Sequence, residues 1–335
     1  MTHKTLIALA VSAAVTAPTA QAAEFRIDEE TTINVGGTIE PVYQSVKDGS
    51  GDSESEFTDN DSTLQFDGEH AWTDQTTGFF HIEYEWSGAD ETTGGGVNSL
   101  DSAYIGLKGD LGMIRAGTSD SLYEDNVAEL IYEFENGTLT EEQDGGEGNQ
   151  IRYVSPSFGG FSVGLEAKIE GDGEGNIQND GADFGDSGTG ISFVARYDAD
   201  NWGVVAGADD RGGSPVDVDG DGDNDEYDDE TTAGIGGYYN LGAFSLSARF
   251  ASESNRGNNN DIEYTGVMGG YNYGAGDVYL GVQDVSPDQG DSSTEVAAIV
   301  KHGLYSNLDV FVNVARYDRQ NDAGDLTEIG AIYSF

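Results

Sequence analysis

From Thr31 to Phe335 the chain is written in steps of two. Apolar residues alternate with polar or small ones in sixteen stretches bounded by Gly, Asn and Asp clusters. This is the period of half-buried strands, since the apolar positions of a helix recur every three or four residues. The stretches fall at 31-47, 62-72, 78-87, 99-109, 111-117, 149-155, 160-170, 189-199, 201-210, 230-240, 242-253, 260-273, 276-286, 292-302, 307-318 and 326-335. Three of them show the parity plainly. Phe80, Ile82, Tyr84 and Trp86 oppose His81, Glu83 and Glu85; Phe161, Val163, Leu165, Ala167 and Ile169 oppose Ser162, Gly164, Glu166 and Lys168; Phe244, Leu246, Ala248 and Phe250 oppose Ser245, Ser247 and Arg249. One face of each strand suits hydrocarbon and the other suits water. Alternation alone also serves a soluble sheet whose apolar face covers a core.

The links between strands separate the two readings. Seven short links (73-77, 110, 156-159, 200, 241, 274-275 and 303-306) interleave with eight long polar ones (48-61, 88-98, 118-148, 171-188, 211-229, 254-259, 287-291 and 319-325). A soluble sandwich has no reason to sort its links by length onto one end, whereas an outer-membrane barrel has short periplasmic turns and long external loops. Lipid also forbids an open sheet edge, so a spanning sheet must close on itself. Sixteen strands enclose more room than side chains fill, which leaves a water channel. Aromatic residues gather toward the strand ends, among them Trp72, Trp86, Trp202, Tyr239 and Tyr273, as interfacial girdles require. The expected fold is all-β, a 16-stranded antiparallel transmembrane β-barrel.

The first 22 residues read as a secretory signal: Lys4, an apolar run from Leu6 to Val15, then Pro18 and the small-x-small site Ala20-Gln21-Ala22. Cleavage is expected between Ala22 and Ala23, leaving residues 23-335 as the barrel. No later window holds the eighteen or so apolar residues of a membrane helix, and cysteine is absent, so neither disulfides nor thiolate metal sites support the fold. With 63 Asp plus Glu against 14 Lys plus Arg, a formal charge of −49, the chain repels nucleic acid. Its 17 Tyr and 14 Phe argue against disorder. A folded chain so charged suits high salt, where self-repulsion is screened.

The stretch SAYIGLKGDLGMIRAG (102-117), followed by SLYED and then NQIRYVSPSFGGFSVGLEA (149-167), resembles the general diffusion porins of Gram-negative outer membranes. The resemblance runs from about residue 31 to Phe335 and implies a homotrimer in the cell outer membrane that passes small hydrophilic solutes and ions without any required cofactor. It implies that the aromatic-x-Phe ending, Tyr333 and Phe335, is read by the outer-membrane assembly machinery. It implies further that loop 118-148 folds inward as the constriction, carrying Asp120, Glu124, Asp125 and Glu129 opposite arginines of the wall. Arg115 and Arg152 match the family's positions and have apolar neighbours, so both should point inward; Arg196 and Arg249 extend the basic set. The chain departs from the pattern at Thr118-Ser119 and at Gln65, Asp67 and Glu69, where basic residues are common. A lumen so depleted of positive charge should prefer cations.

Rival readings are an exported soluble β-protein that stacks carbohydrate on Tyr and Trp, and a substrate-selective channel of the same fold. Catalysis finds no support. GFSVG (160-164) fits the serine-hydrolase elbow, yet Ser162 sits inside an alternating strand with no helix following. His70, His81 and His302 lack metal spacing, and the glycine-rich stretches lack the strand-loop-helix setting of a dinucleotide site. One local pattern stands apart, in external loop 211-229. Asp217, Asp219, Asp221, Asp223, Asp225 and Asp228, with Gly222, fall at the ligand positions of an EF-type calcium loop, Asp taking the place of the usual final Glu. A solvated acidic loop is the alternative. Calorimetric titration separates them: a calcium site gives heat in the intact protein that Asp219→Ala, Asp221→Ala abolishes, while a merely acidic loop gives the same weak signal in both.

Overall fold

The structure, a computed structural model, describes residues 23–86, 97–131, 139–140, 148–169, 190–210, 214–216, 226–228, 231–255 and 260–335. A short strand β1 (Ala23–Arg26) precedes β2 (Thr31–Ile39), β3 (Pro41–Lys47), β4 (Ser53–Asp59), β5 (Thr63–Thr73) and β6 (Thr76–Trp86). Then come β7 (Val97–Gly109), β8 (Gly112–Ser119), β9 (Gly148–Val154), β10 (Phe161–Lys168), β11 (Ile191–Asp198) and β12 (Trp202–Asp210). A hairpin of β13 (Ser214–Val216) and β14 (Glu226–Asp228) is paired only within itself among the described residues. The wall resumes with β15 (Thr231–Leu241), β16 (Phe244–Asn255), β17 (Asn260–Asn272), β18 (Gly276–Pro287), β19 (Ser293–Tyr305), β20 (Leu308–Tyr317) and β21 (Leu326–Ser334).

Apart from the hairpin, these segments form one antiparallel sheet that closes on itself. Its last strand, β21, pairs with β3, where Ile329 faces Tyr43, and with the end of β2, where Ser334 faces Thr38. β2 and β3 are halves of one wall strand, as are β4 and β5, so the wall counts sixteen strands with β1 lying along the free edge of β2. The interruption has local causes. Pro41 opens β3, a position that demands no N–H from the ladder. Asp61 takes a φ of 66°, which Asp tolerates better than most residues. The Ser62 hydroxyl accepts the Glu40 N–H at 2.8 Å, and the Asp59 carboxylate accepts the Ser62 N–H at 2.6 Å.

One expectation is corrected here. The segment 48-61 is not a long loop, because Ser53–Asp59 is strand and pairs with β3 along its whole length. Its Ser-Glu-Ser-Glu run reads as solvated loop. In the barrel Glu54, Glu56 and Thr58 share the inner face with Gln44, and Phe57 stands beside Tyr43 on the outer face.

Cross-strand partners share a face, so the register sorts the wall into two surfaces. The outer surface is apolar and open, with Ile105 at 69 % exposure and Leu280 at 56 %. A continuous apolar exterior belongs in hydrocarbon.

The inner surface is not polar throughout. Val42, Met268, Tyr279, Ala297, Ile299 and Phe311 point inward and are buried, in one cluster with Ile131 and Leu139 of the segment that follows β8. A second cluster joins Leu122, Tyr123, Val127 and Ala128 to Val194 and Val205 of the wall. Residues 120–131 and 139–140 therefore lie along the inside of the barrel. A row of inward glycines makes its bed. Leu122 lies 2.9 Å from where a Cβ on Gly164 would stand, and Leu139 lies 2.9 Å from that of Gly281. Tyr123, Leu130 and Ile131 crowd the same position on Gly234, Gly236 and Gly266. Two interruptions of the alternation mark this bed in the sequence, the unbroken apolar runs Val296–Val300 and Val310–Val312. Gly266→Leu should leave the barrel folded, as heat-modifiable gel mobility will report. It should destabilise loop seating by about 1–3 kcal/mol, read as altered single-channel conductance and new protease cleavage within residues 120–140.

Candidate pore constriction

The inward segment is rooted in charge. Arg115 on β8 stands directly opposite Arg152 on β9, which stands opposite Glu166 on β10. Two guanidinium groups side by side repel, and carboxylates from both sides offset this. Arg152 Nε donates to Glu166 at 2.5 Å, and its Nη1 donates to Asp125 of the loop. The Asp125 carboxylate also lies 3.7 Å from Arg115. Arg152 Nη2 reaches the Asp120 carbonyl at 2.5 Å and Gln150 Oε1 at 3.1 Å. With its side chain 3 % exposed, Arg152 is a buried cation whose donors are met by loop and wall together. Arg115 lies over the Tyr104 ring at 4.2 Å and donates to Ser119 Oγ at 2.7 Å.

Further bonds carry the loop along the wall. Glu166 Oε1 accepts the Leu122 N–H at 3.2 Å, and Gln150 Nε2 donates to the Ser119 and Asp120 carbonyls. Beside them, buried Lys168 pairs with buried Asp209 at 3.1 Å. Farther on, Arg249 donates through Nη1 to the Ala128 carbonyl. The far end is clasped at Thr140. Its N–H and hydroxyl donate to Glu295 at 2.8 and 2.7 Å, its carbonyl accepts from Gln283 at 2.6 Å, and Arg319 reaches both Thr140 Oγ1 (2.8 Å) and Glu295 (2.6 Å).

The residues picked out from the sequence distribute unevenly over this geometry. Arg115, Arg152 and Asp125 meet. Asp120 contributes its carbonyl, Glu124 is half-buried on the first turn of the loop, and Glu129 is exposed. Arg249 lies beneath the loop, on β16, and does not join the Arg115–Arg152 pair. Arg196 pairs with Asp198 at 2.9 Å and faces Tyr238. Asp217, Asp219, Asp221, Asp223 and Asp225 lie outside the described residues, and Asp228 sits on β14, backbone-paired with Ser214. Tyr333 is outward and half-exposed; the Phe335 N–H donates to the Gly37 carbonyl at 3.0 Å and its carbonyl accepts from the Gly37 N–H at 3.2 Å. Glu166, Gln283, Glu295 and Arg319 escaped the sequence reading. Glu166 was visible as a charge on the polar face of its strand, next to Lys168.

Beside the loop's root, the inner faces of β5, β6 and β7 carry Asp67, Glu69, His81, Glu83 and Lys108. Asp67 and Glu83 flank His81 at 2.8 and 3.3 Å, and Lys108 pairs with Glu69 at 2.5 Å. Carboxylates outnumber cations on this stretch of wall.

The closed barrel is shared with known proteins. The chain is similar to the monosaccharide porin of a Halomonas species, 28 % identical over 99 % of this chain and 100 % of that one. It is 27 % identical to outer membrane porin C of Salmonella typhimurium, over 83 % of this chain and 67 % of the relative. Among solved structures, an anion-selective porin from Comamonas acidovorans shares the fold with a TM-score of 0.74 at 18 % identity, covering 91 % of this chain and all of its own. The trimer form of OmpT from Vibrio cholerae does so with a TM-score of 0.67 at 14 % identity, over 92 % of this chain and all of its own. The model of the Gram-negative porin family matches residues 8–322, and the chain belongs to that family of outer-membrane channels.

Proposed function

We propose that this porin is a cation-preferring passage for small hydrophilic solutes. The observation that carries the reading is the state of the arginines. Arg115 and Arg152 are engaged by Asp125, Glu166 and the loop backbone, and Arg249 by the loop backbone, so little of their charge is presented to a passing ion. The wall of β5–β7 contributes Asp67, Glu69 and Glu83 against Lys108 and His81. A low-dielectric wall focuses that negative field into the channel and raises the local concentration of cations. The anion-selective name of one fold neighbour carries no weight against this, because charge placement sets selectivity and fold does not.

The full-length similarity to a monosaccharide porin favours small sugars among the neutral solutes. A homotrimer is proposed on the likeness to a trimeric fold neighbour. It agrees with an apolar groove on the outer face between Ile33, Phe80, Ile105 and Ile114, where Gly68 and Gly78 thin the wall. Recognition of Tyr333 and Phe335 by the assembly machinery, removal of residues 1-22, calcium in loop 211-229 and a high-salt habitat belong to the same reading. In a planar bilayer with a KCl gradient, the dilute side should turn positive; a negative dilute side overturns cation preference. A trimer band before boiling, collapsing to a monomer afterwards, is the expected gel result.

A further inference from the structure

One row of the inner wall leads across β5, β6 and β7 to Arg115. Glu69 on β5, Phe79 on β6 and Gly106 on β7 stand opposite one another in register. The neighbouring inner row on the external side is Asp67, His81 and Tyr104, and Lys108 follows on the periplasmic side. Gly106 is what shapes the row. The Phe79 ring leans into the space above it, and a Cβ there would collide with the ring's Cζ. Phe79 meets Tyr104 edge-on, with centroids 6.3 Å apart and planes at 80°. Tyr104 is itself fixed, stacked with His81 at 4.9 Å and overlaid by Arg115 at 4.2 Å. Phe79 is the ring of this row, and it is partly buried.

Polar groups frame that ring on two sides. Lys108 Nζ lies over one side of the ring, 5.7 Å from its centroid, and pairs with Glu69 at 2.5 Å, the two side chains being 43 % and 51 % exposed. A paired ammonium and carboxylate offer little net charge to a free ion, but each keeps directional capacity. The carboxylate still accepts from hydroxyls, and the ammonium still donates to them. An apolar ring face beside such a pair complements a molecule with a C–H face and a hydroxylated edge.

We propose that Phe79, with Glu69 and Lys108, forms a low-affinity subsite for a pyranose on the channel wall. The inference rests on the channel reading given above and adds to it the place where a sugar pauses. The ring sits across Gly106 from Arg115, in the same row as the root of the constriction loop, so a sugar resting there obstructs the ionic path.

The test measures ion current through the purified full chain in a planar bilayer as D-glucose is added, with glycerol at matched viscosity as the comparison. Glucose should lower the current saturably and glycerol only in proportion to viscosity. An aromatic contact of this kind is worth a factor of about two to ten. Phe79→Ala should raise the half-blocking concentration by that factor, and Phe79→Trp should restore it. Glu69→Gln, a smaller perturbation, should raise it at least about twofold; it decides the matter if Phe79→Ala fails to give a heat-modifiable barrel. Glucose and glycerol acting alike, or variants blocking as the parent does, would overturn the subsite while leaving the channel intact. Failure of the parent protein to conduct at all would instead overturn the reading beneath it.

Discussion

The structure depends on the closure of its hydrogen-bond ladder. A strand edge facing lipid leaves N–H and C=O groups without partners at several kcal/mol each, so the first and last wall strands must meet. They do so across a break. β21 pairs with β3 over Leu326–Gly330 and then with the end of β2 at Thr38 and Ile39, while β4 and β5 follow the same interruption on the other side. Pro41 and Asp61 are tolerated because the chain bends there. The Asp59, Asn60 and Ser62 side chains take up the polar groups that the bend would strand.

Once closed, the barrel has an interior, and the loop after β8 divides it. Two kinds of force hold that loop. Apolar residues settle on inward glycines and on a patch formed by β17 to β20, while charged pairs buried at Arg152–Glu166 and Lys168–Asp209 pin the neighbouring wall. Salt screens exposed pairs over about 8–10 Å and buried ones much less. In a chain of charge −49, these contacts keep their strength where the outer loops are screened.

Much of this was legible in the sequence. Alternation placed all sixteen wall strands, because a strand with one face in lipid and one in water must change character at every residue. The resemblance to the porins set Arg115 and Arg152 opposite the acidic residues of loop 118-148, and parity pointed both arginines inward; of those acids Asp125 is the one whose carboxylate meets them. The rest was hidden for physical reasons. Ser53–Asp59 has the composition of a loop, yet backbone pairing with β3 holds it as strand. Ala297, Ile299 and Phe311 break the alternation because their inner face meets the constriction loop and not water. Glu295 and Arg319 clasp Thr140 from positions more than 150 residues away in the chain, and no local pattern encodes such a meeting.

The two ends of the wall hold a last consequence. Phe335 bonds to Gly37, and Ala23 stands opposite Val35 on the same edge of β2, so only the place facing Gly36 separates them. The direction of the chain is the same on either side of that gap. In a chain that began at Ala23, a single inserted residue would join one end to the other without disturbing a rung, making the barrel circular in covalent terms as well as in space. Any short periplasmic turn could then serve as the new beginning.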